Sequence, residues 1–166
     1  MNARTAAKPN TKQERGGEKV VTVNRRAWHD YFIEEQVEAG IVLTGTEIKS
    51  VREGRVNIRE AHARIEGREL WLYGMHISPY GQAGDYFQHD PIRPRKLLLH
   101  RTQITFLAQK VEARGYTIVP LRLALRNGRA KVDIGLAKGK RDYDKRDALA
   151  ERDSRREIEQ ALRRRD

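Results

Sequence analysis

Apolar and polar positions alternate most clearly near residue 125. Leu121, Leu123 and Leu125 alternate with Arg122, Ala124 and Arg126; after Asn127-Gly128, Val132, Ile134 and Leu136 alternate with Lys131 and Asp133. A period of two belongs to a strand with one buried face, and Asn-Gly suits a tight hairpin turn. The pattern predicts two antiparallel strands, each with an apolar face and a polar, partly basic one. Ala63 to Tyr73 predicts a second hairpin around Glu66-Gly67-Arg68, with Leu70 and Leu72 on one face and Trp71 and Tyr73 on the other.

Between the hairpins the period changes. Ile104, Leu107, Ala108 and Val111 follow i, i+3, i+4, i+7 and predict a helix over Thr102–Arg114, stopped by Gly115. Asn24 is placed to cap a short helix over Arg25–Asp30, after which Tyr31-Phe32-Ile33 reads as extended. Glu38-Ala39-Gly40 reads as a turn before Ile41-Val42-Leu43. Thr44 and Glu47 form a capping box that opens a helix closed by Gly54. Residues 78 to 94, rich in Pro, Gly, Gln and Asp, read as a long surface loop. Antiparallel strands with interspersed helices imply a mainly β (α+β) chain forming a small closed or half-open barrel, an architecture shared by oligonucleotide-binding barrels and many others.

Charge adds a class of partner. The 166 residues include 34 basic and 23 acidic side chains, a net charge of +11, and no Cys. Without Cys there is no disulfide framework, thiolate metal site or cysteine nucleophile. The apolar runs are far shorter than the ~20 residues of a membrane span, and the first residues lack the apolar core of a signal peptide. A basic, cytoplasmic protein with no membrane association is therefore expected, and nucleic acid is the commonest partner for such a balance. Residues 1–19 and 137–166 each carry +3 and have little to bury, so they are predicted to be mobile arms around a domain at 20–136.

Catalysis is not predicted. His29, His62, His76, His89 and His100 are scattered without metal-ligand spacing, and neither a phosphate-binding glycine loop nor a nucleophile elbow is present. Glu34 and Glu35 are strand neighbours expected to face opposite sides. No metal or cofactor is expected. Arg93, Arg95 and Lys96, beside Leu97-Leu98-Leu99, are candidate phosphate contacts, with solvation of the loop as the alternative. Ala137 to Arg146 carries five basic groups and Tyr143, a pairing of charge for phosphate with a ring for base stacking. Beyond it, Glu151 with Arg155 and Glu159 with Arg163 are i, i+4 pairs, and Ile158, Ala161 and Leu162 form a short apolar strip. The tail is predicted to be unfolded when free and helical when bound.

Four strings are specific when taken together. They are Asn24-Arg25-Arg26-Ala27 with Tyr31 and Glu38 to Ile41; Gly45 to Gly54 with Asn57-Ile58; Asp90 to Leu99 with Gly115-Tyr116-Thr117 and Pro120-Leu121; and Gly135 to Arg141, ending in Asp144-Lys145-Arg146. In these strings the chain resembles the SsrA-binding protein (small protein B) family of bacteria. The resemblance implies an oligonucleotide-binding-type antiparallel β-barrel with two to three embedded helices and a disordered basic C-terminal tail. It implies a non-enzymatic role in trans-translation: binding the tRNA-like domain of transfer-messenger RNA and delivering it to stalled ribosomes. Implied partners are the small ribosomal subunit and its rRNA, with elongation factor Tu and alanyl-tRNA synthetase reached through the RNA.

Carried over by position, the resemblance puts Asn24, Glu38, Leu98, Lys131 and Arg52 at the RNA-binding face, and Arg25, Arg95 and Lys96 complete the candidate set. It assigns Lys138, Gly139, Lys140, Arg141, Tyr143, Asp144, Lys145 and Arg146 to the tail that enters the decoding centre and the empty message channel. Arg141 stands where Lys is usual, and Tyr143 where His is common, which keeps a stacking face and removes a pH-dependent charge. The rival reading is a generic RNA-binding barrel with no preference for a tRNA-like RNA.

Overall fold

Seven strands share one sheet, and that sheet closes on itself. The computed structural model describes residues 17–163 apart from 85, 87 and 141; the side chains of residues 114, 142–145 and 148 also lie outside the description. The strands are β1 (Glu18–Val23), β2 (Tyr31–Ile41), β4 (His62–Glu66), β5 (Glu69–Tyr73), β7 (Arg95–Leu98), β8 (Thr117–Arg126) and β9 (Arg129–Gly139). Their order is β1-β8-β4-β5-β7-β2-β9, and β9 also pairs with β8, which closes six strands into a barrel with β1 added along β8. The two-residue strands β3 (Val56–Asn57) and β6 (His76–Ile77) form a separate pair. Leu70, Leu72, Leu97, Ile118, Leu123, Val132, Ile134 and Leu136 fill the interior.

Both predicted hairpins are present. β4 and β5 meet at Glu66↔Glu69, and β8 and β9 turn at Asn127 and Gly128, both at positive φ. The helices are α1 (Arg25–Asp30), α2 (Gly45–Arg52), α3 (Arg101–Arg114) and α4 (Asp142–Arg163). Glu47 reaches back to the Thr44 N–H at 2.9 Å, as the capping pattern predicted. Gly115 ends α3 in the left-handed region, φ 66°.

Two expectations are corrected. Glu38-Ala39-Gly40 is not a turn: β2 continues through it, pairing Glu38↔Asp133, Ala39↔Val132 and Gly40↔Lys131. Gly40 is needed for close approach instead, since a Cβ there would lie 3.2 Å from Leu98 Cβ. The alternation in β8 is not continuous either. A register shift between Pro120 and Arg122 turns Val119 and Leu121 outward, while Leu123 and Leu125 stay in the barrel core. Those outward residues, with Ile33 and Ala137, form the small apolar bed on which Ala27 and Trp28 of α1 pack.

β9 runs through Gly139 and buries Ala137 completely, so the barrel takes in residues expected to belong to the tail. Beyond the strand the chain forms the 22-residue helix α4. Its composition accounts for this: Ala, Glu, Arg and Leu are good helix formers, and Arg155 reaches Glu151 at 2.7 Å across one turn. From Arg146 to Arg163 every described side chain is exposed, Leu149, Ile158 and Leu162 included. The expected mobility of residues 1–16 lies outside the described residues.

Candidate nucleic-acid interface

Strand parity decides which candidates can meet a ligand. On β7, Arg95 and Leu97 point into the barrel, whereas Lys96 and Leu98 point out. Arg95 is therefore corrected: its guanidinium has no exposed surface and cannot touch phosphate. It lies 3.0 Å from Glu47, donates to the Met75 carbonyl at 2.6 Å, and donates to the carbonyls of Asp90 and Pro91. Arg93 forms a 2.8 Å ion pair with the same Glu47 carboxylate. Burial opposes ionisation of Glu47, but hydrogen bonds from Arg93 and the Thr44 N–H, with the charge and hydrogen bond of Arg95, hold its pKa below the usual value. This cluster ties Asp90, Pro91 and Arg93 to α2 and the barrel.

Asn24 is corrected in the same way. It is buried, its side-chain oxygen accepts from the Ala27 N–H at 3.2 Å, and its amide donates to Pro120 O at 2.9 Å and Ile58 O at 3.3 Å. With donors and acceptor committed, Asn24 anchors α1 to β8 and the chain near Ile58. Arg25, next to it, is exposed.

The outer face of β9, β2 and β7 brings the remaining barrel candidates together. Gly40 pairs with Lys131 on one side and Leu98 on the other. Leu98 is half exposed although it sits in a run of three leucines, and no carboxylate among the described residues pairs with Lys131. Glu38, one outward position along β2, receives both terminal nitrogens of Arg126 at 2.9 and 3.1 Å. Arg126 also approaches Glu18, which pairs with Arg122 at 2.9 Å, and Arg122 in turn meets Asp133 at 2.8 Å. Lys96 pairs with Glu69 at 2.8 Å, and its hydrogen bond and charge hold the Glu69 carboxyl below the usual range. Arg52 is exposed at the end of α2, where its carbonyl accepts from Lys19 of β1. Among the described residues the face is thus an ordered lattice of charge with one free lysine and one exposed leucine near its centre.

Sequence reasoning misses Arg126, which positions Glu38, and Arg122, which joins Glu18 to Asp133. Their signal is present, since both occupy the polar side of the alternating strand, but their partners come from β1, β2 and β9. At the tail, Lys138 and Gly139 are exposed strand residues opposite Phe32 and Tyr31, and Arg146 is exposed on α4. Arg141 and the side chains of Tyr143, Asp144 and Lys145 lie outside the described residues. Among those described, no group of three His, Asp or Glu could hold a metal ion, and no helix is long and apolar enough to cross a membrane.

The chain is similar to known proteins of one family. A family profile described as SmpB protein matches residues 21–164. An SsrA-binding protein from Roseiflexus sp. (strain RS-1) is 62% identical over 148 residues, covering 89% of this chain and 94% of its own. One from Carboxydothermus hydrogenoformans is 58% identical over 146 residues, covering 88% and 97%. A solved chain from "tmRNA-SmpB: a journey to the center of the bacterial ribosome" superposes with a TM-score of 0.62 at 48% identity, covering 78% of this chain and 94% of that one.

Proposed function

This chain belongs to the SmpB protein family, and on that premise we propose that it is an RNA-binding adaptor of trans-translation. The outer face of β2, β7 and β9 holds the tRNA-like domain of transfer-messenger RNA, and the basic tail places that RNA on a stalled ribosome. The tail occupies the decoding centre and the empty message channel, and elongation factor Tu and alanyl-tRNA synthetase act through the RNA. The site of action is the cytoplasm, and no reaction is assigned to the chain itself.

The observation that carries this reading is the grouping of Lys131, Leu98 and Glu38 around Gly40. An unpaired ammonium binds phosphate without regard to sequence, and an exposed leucine packs on a sugar or base. The carboxylate, held in place by Arg126, accepts from a base or ribose donor. Arg25, exposed on α1, and Lys96, beside its ion-pair partner Glu69, complete the candidate set. In a binding titration, Lys131→Ala is expected to weaken transfer-messenger RNA binding and lower the salt slope by about one. Unchanged affinity and slope would remove this face from the interface.

A further inference from the structure

We infer that Glu18 is a specificity-determining residue of the RNA face: it withholds Arg122 and Arg126 from phosphate, so that RNA is not bound by charge alone. Two guanidiniums flanking Lys131 would together form a strong phosphate site that ignores sequence. Lys131 pairs with Ala124, midway between Arg122 and Arg126 on β8. Neither arginine is free to act in that way. Arg122 lies between Asp133 at 2.8 Å and Glu18 at 2.9 Å, and Arg126 lies 2.9 Å from Glu38 and 3.5 Å from Glu18. Their side chains are 28% and 36% exposed, so pairing rather than burial withdraws them. Three carboxylates face two guanidiniums, a net charge of −1 on a chain whose total is +11.

Glu18 is the member common to both arginines, and its own side chain is only 4% exposed. β1 delivers it: the strand lies along β8 outside the closed ring, with Glu18 directly opposite Arg126. A phosphate approaching these strands meets carboxylate charge as well as guanidinium, and the two largely cancel. A ligand therefore gains only where it matches Lys131, Leu98 and Glu38 together, which penalises RNA of the wrong shape. Glu18 touches no RNA in this scheme and acts through the two arginines. Selection of transfer-messenger RNA rests on the function proposed above, whereas the masking of the arginines does not.

Titrating the full chain with transfer-messenger RNA and with poly(U), over a range of salt, tests this. Glu18→Gln keeps the shape and removes the charge. It should bind poly(U) about fivefold more tightly at low salt, with a salt slope steeper by about 0.7, the increment for one further phosphate on a single strand. Affinity for transfer-messenger RNA should not rise, so discrimination falls by the same factor. Glu18→Asp should restore the parent's behaviour. Asp133→Asn, at a more exposed position, frees Arg122 from its other side and should act in the same direction, which gives the same reading if the Glu18 variant fails to fold. Glu112→Gln removes an equal charge from an exposed position on α3 and should leave discrimination unchanged. Weaker binding of both RNAs by Glu18→Gln, with an unchanged slope, would make Glu18 structural only. An equal gain in Glu112→Gln would assign the effect to net charge, and either result overturns the inference. If the parent shows no preference for transfer-messenger RNA over poly(U), the adaptor reading fails while the poly(U) response of Glu18→Gln still decides the masking.

Discussion

Glu47→Ala is expected to destabilise the protein by roughly 3–5 kcal/mol, the usual cost of leaving a buried charge without its partner. Glu47 and Arg95 both have no exposed surface, and the arginine stays charged at any ordinary pH. Removing the carboxylate strands that guanidinium, frees Arg93 from the same oxygen atoms, and deprives Thr44 of its capping acceptor. The loss should therefore reach α2, residues 90–94 and β7 together. Urea unfolding at neutral pH measures it, and a change below about 1 kcal/mol would show that water or Asp90 compensates Arg95.

The same carboxylate sets an acid dependence. Its folded-state pKa lies below the ordinary value of 4.5. The stability it contributes is fully present above 4.5 and is lost as pH falls through the lowered folded value. Glu47→Gln, which keeps the shape and cannot ionise, should be less stable than the parent at neutral pH. The gap should narrow on acidification below 4.5, and a gap independent of pH would contradict the assignment.

The second large effect concerns the tail. Ending the chain at Arg141 should leave transfer-messenger RNA affinity within about twofold and reduce tagging on the order of a hundredfold, since the RNA would be bound but not placed. The position of the cut is dictated by the structure. A cut after Ala137 would remove the pairings of Lys138 with Phe32 and Gly139 with Tyr31, and the bonds of Lys140 to α1, confusing loss of the tail with damage to the barrel. Near-normal tagging by the shortened protein would separate ribosome rescue from the tail.

Much of this architecture is legible in the sequence because its signals are local. Period-two alternation and the Asn127-Gly128 turn identify β8 and β9, and Asn24 does cap α1. Local signals fail where a distant strand decides the outcome. Gly40 resembles a turn residue, but its role is to let β7 come close, which depends on Leu98 far along the chain. Arg95 resembles a basic surface residue; the strand parity shared with Leu97 buries it, and Glu47 makes that burial tolerable. Leu98, within a run of leucines suited to a core, is turned outward by the same parity. The bulge near Leu121 exchanges faces within one strand, which no uniform alternation foretells.

The candidate RNA face is legible mainly through resemblance. Lys131, Leu98 and Glu38 lie far apart in sequence and have little in common as residue types, so only the sheet register explains their grouping. Arg122 and Arg126 complete the face through ion pairs that no spacing rule predicts.

The central claim is that this surface selects one RNA. Purifying the affinity-tagged full chain from its host at moderate salt, then sequencing the RNA retained, tests that claim directly. Transfer-messenger RNA should dominate, with nuclease protection concentrated on its tRNA-like end. A spread over ribosomal and messenger RNA in proportion to their abundance would contradict it and leave a basic barrel without a preferred partner.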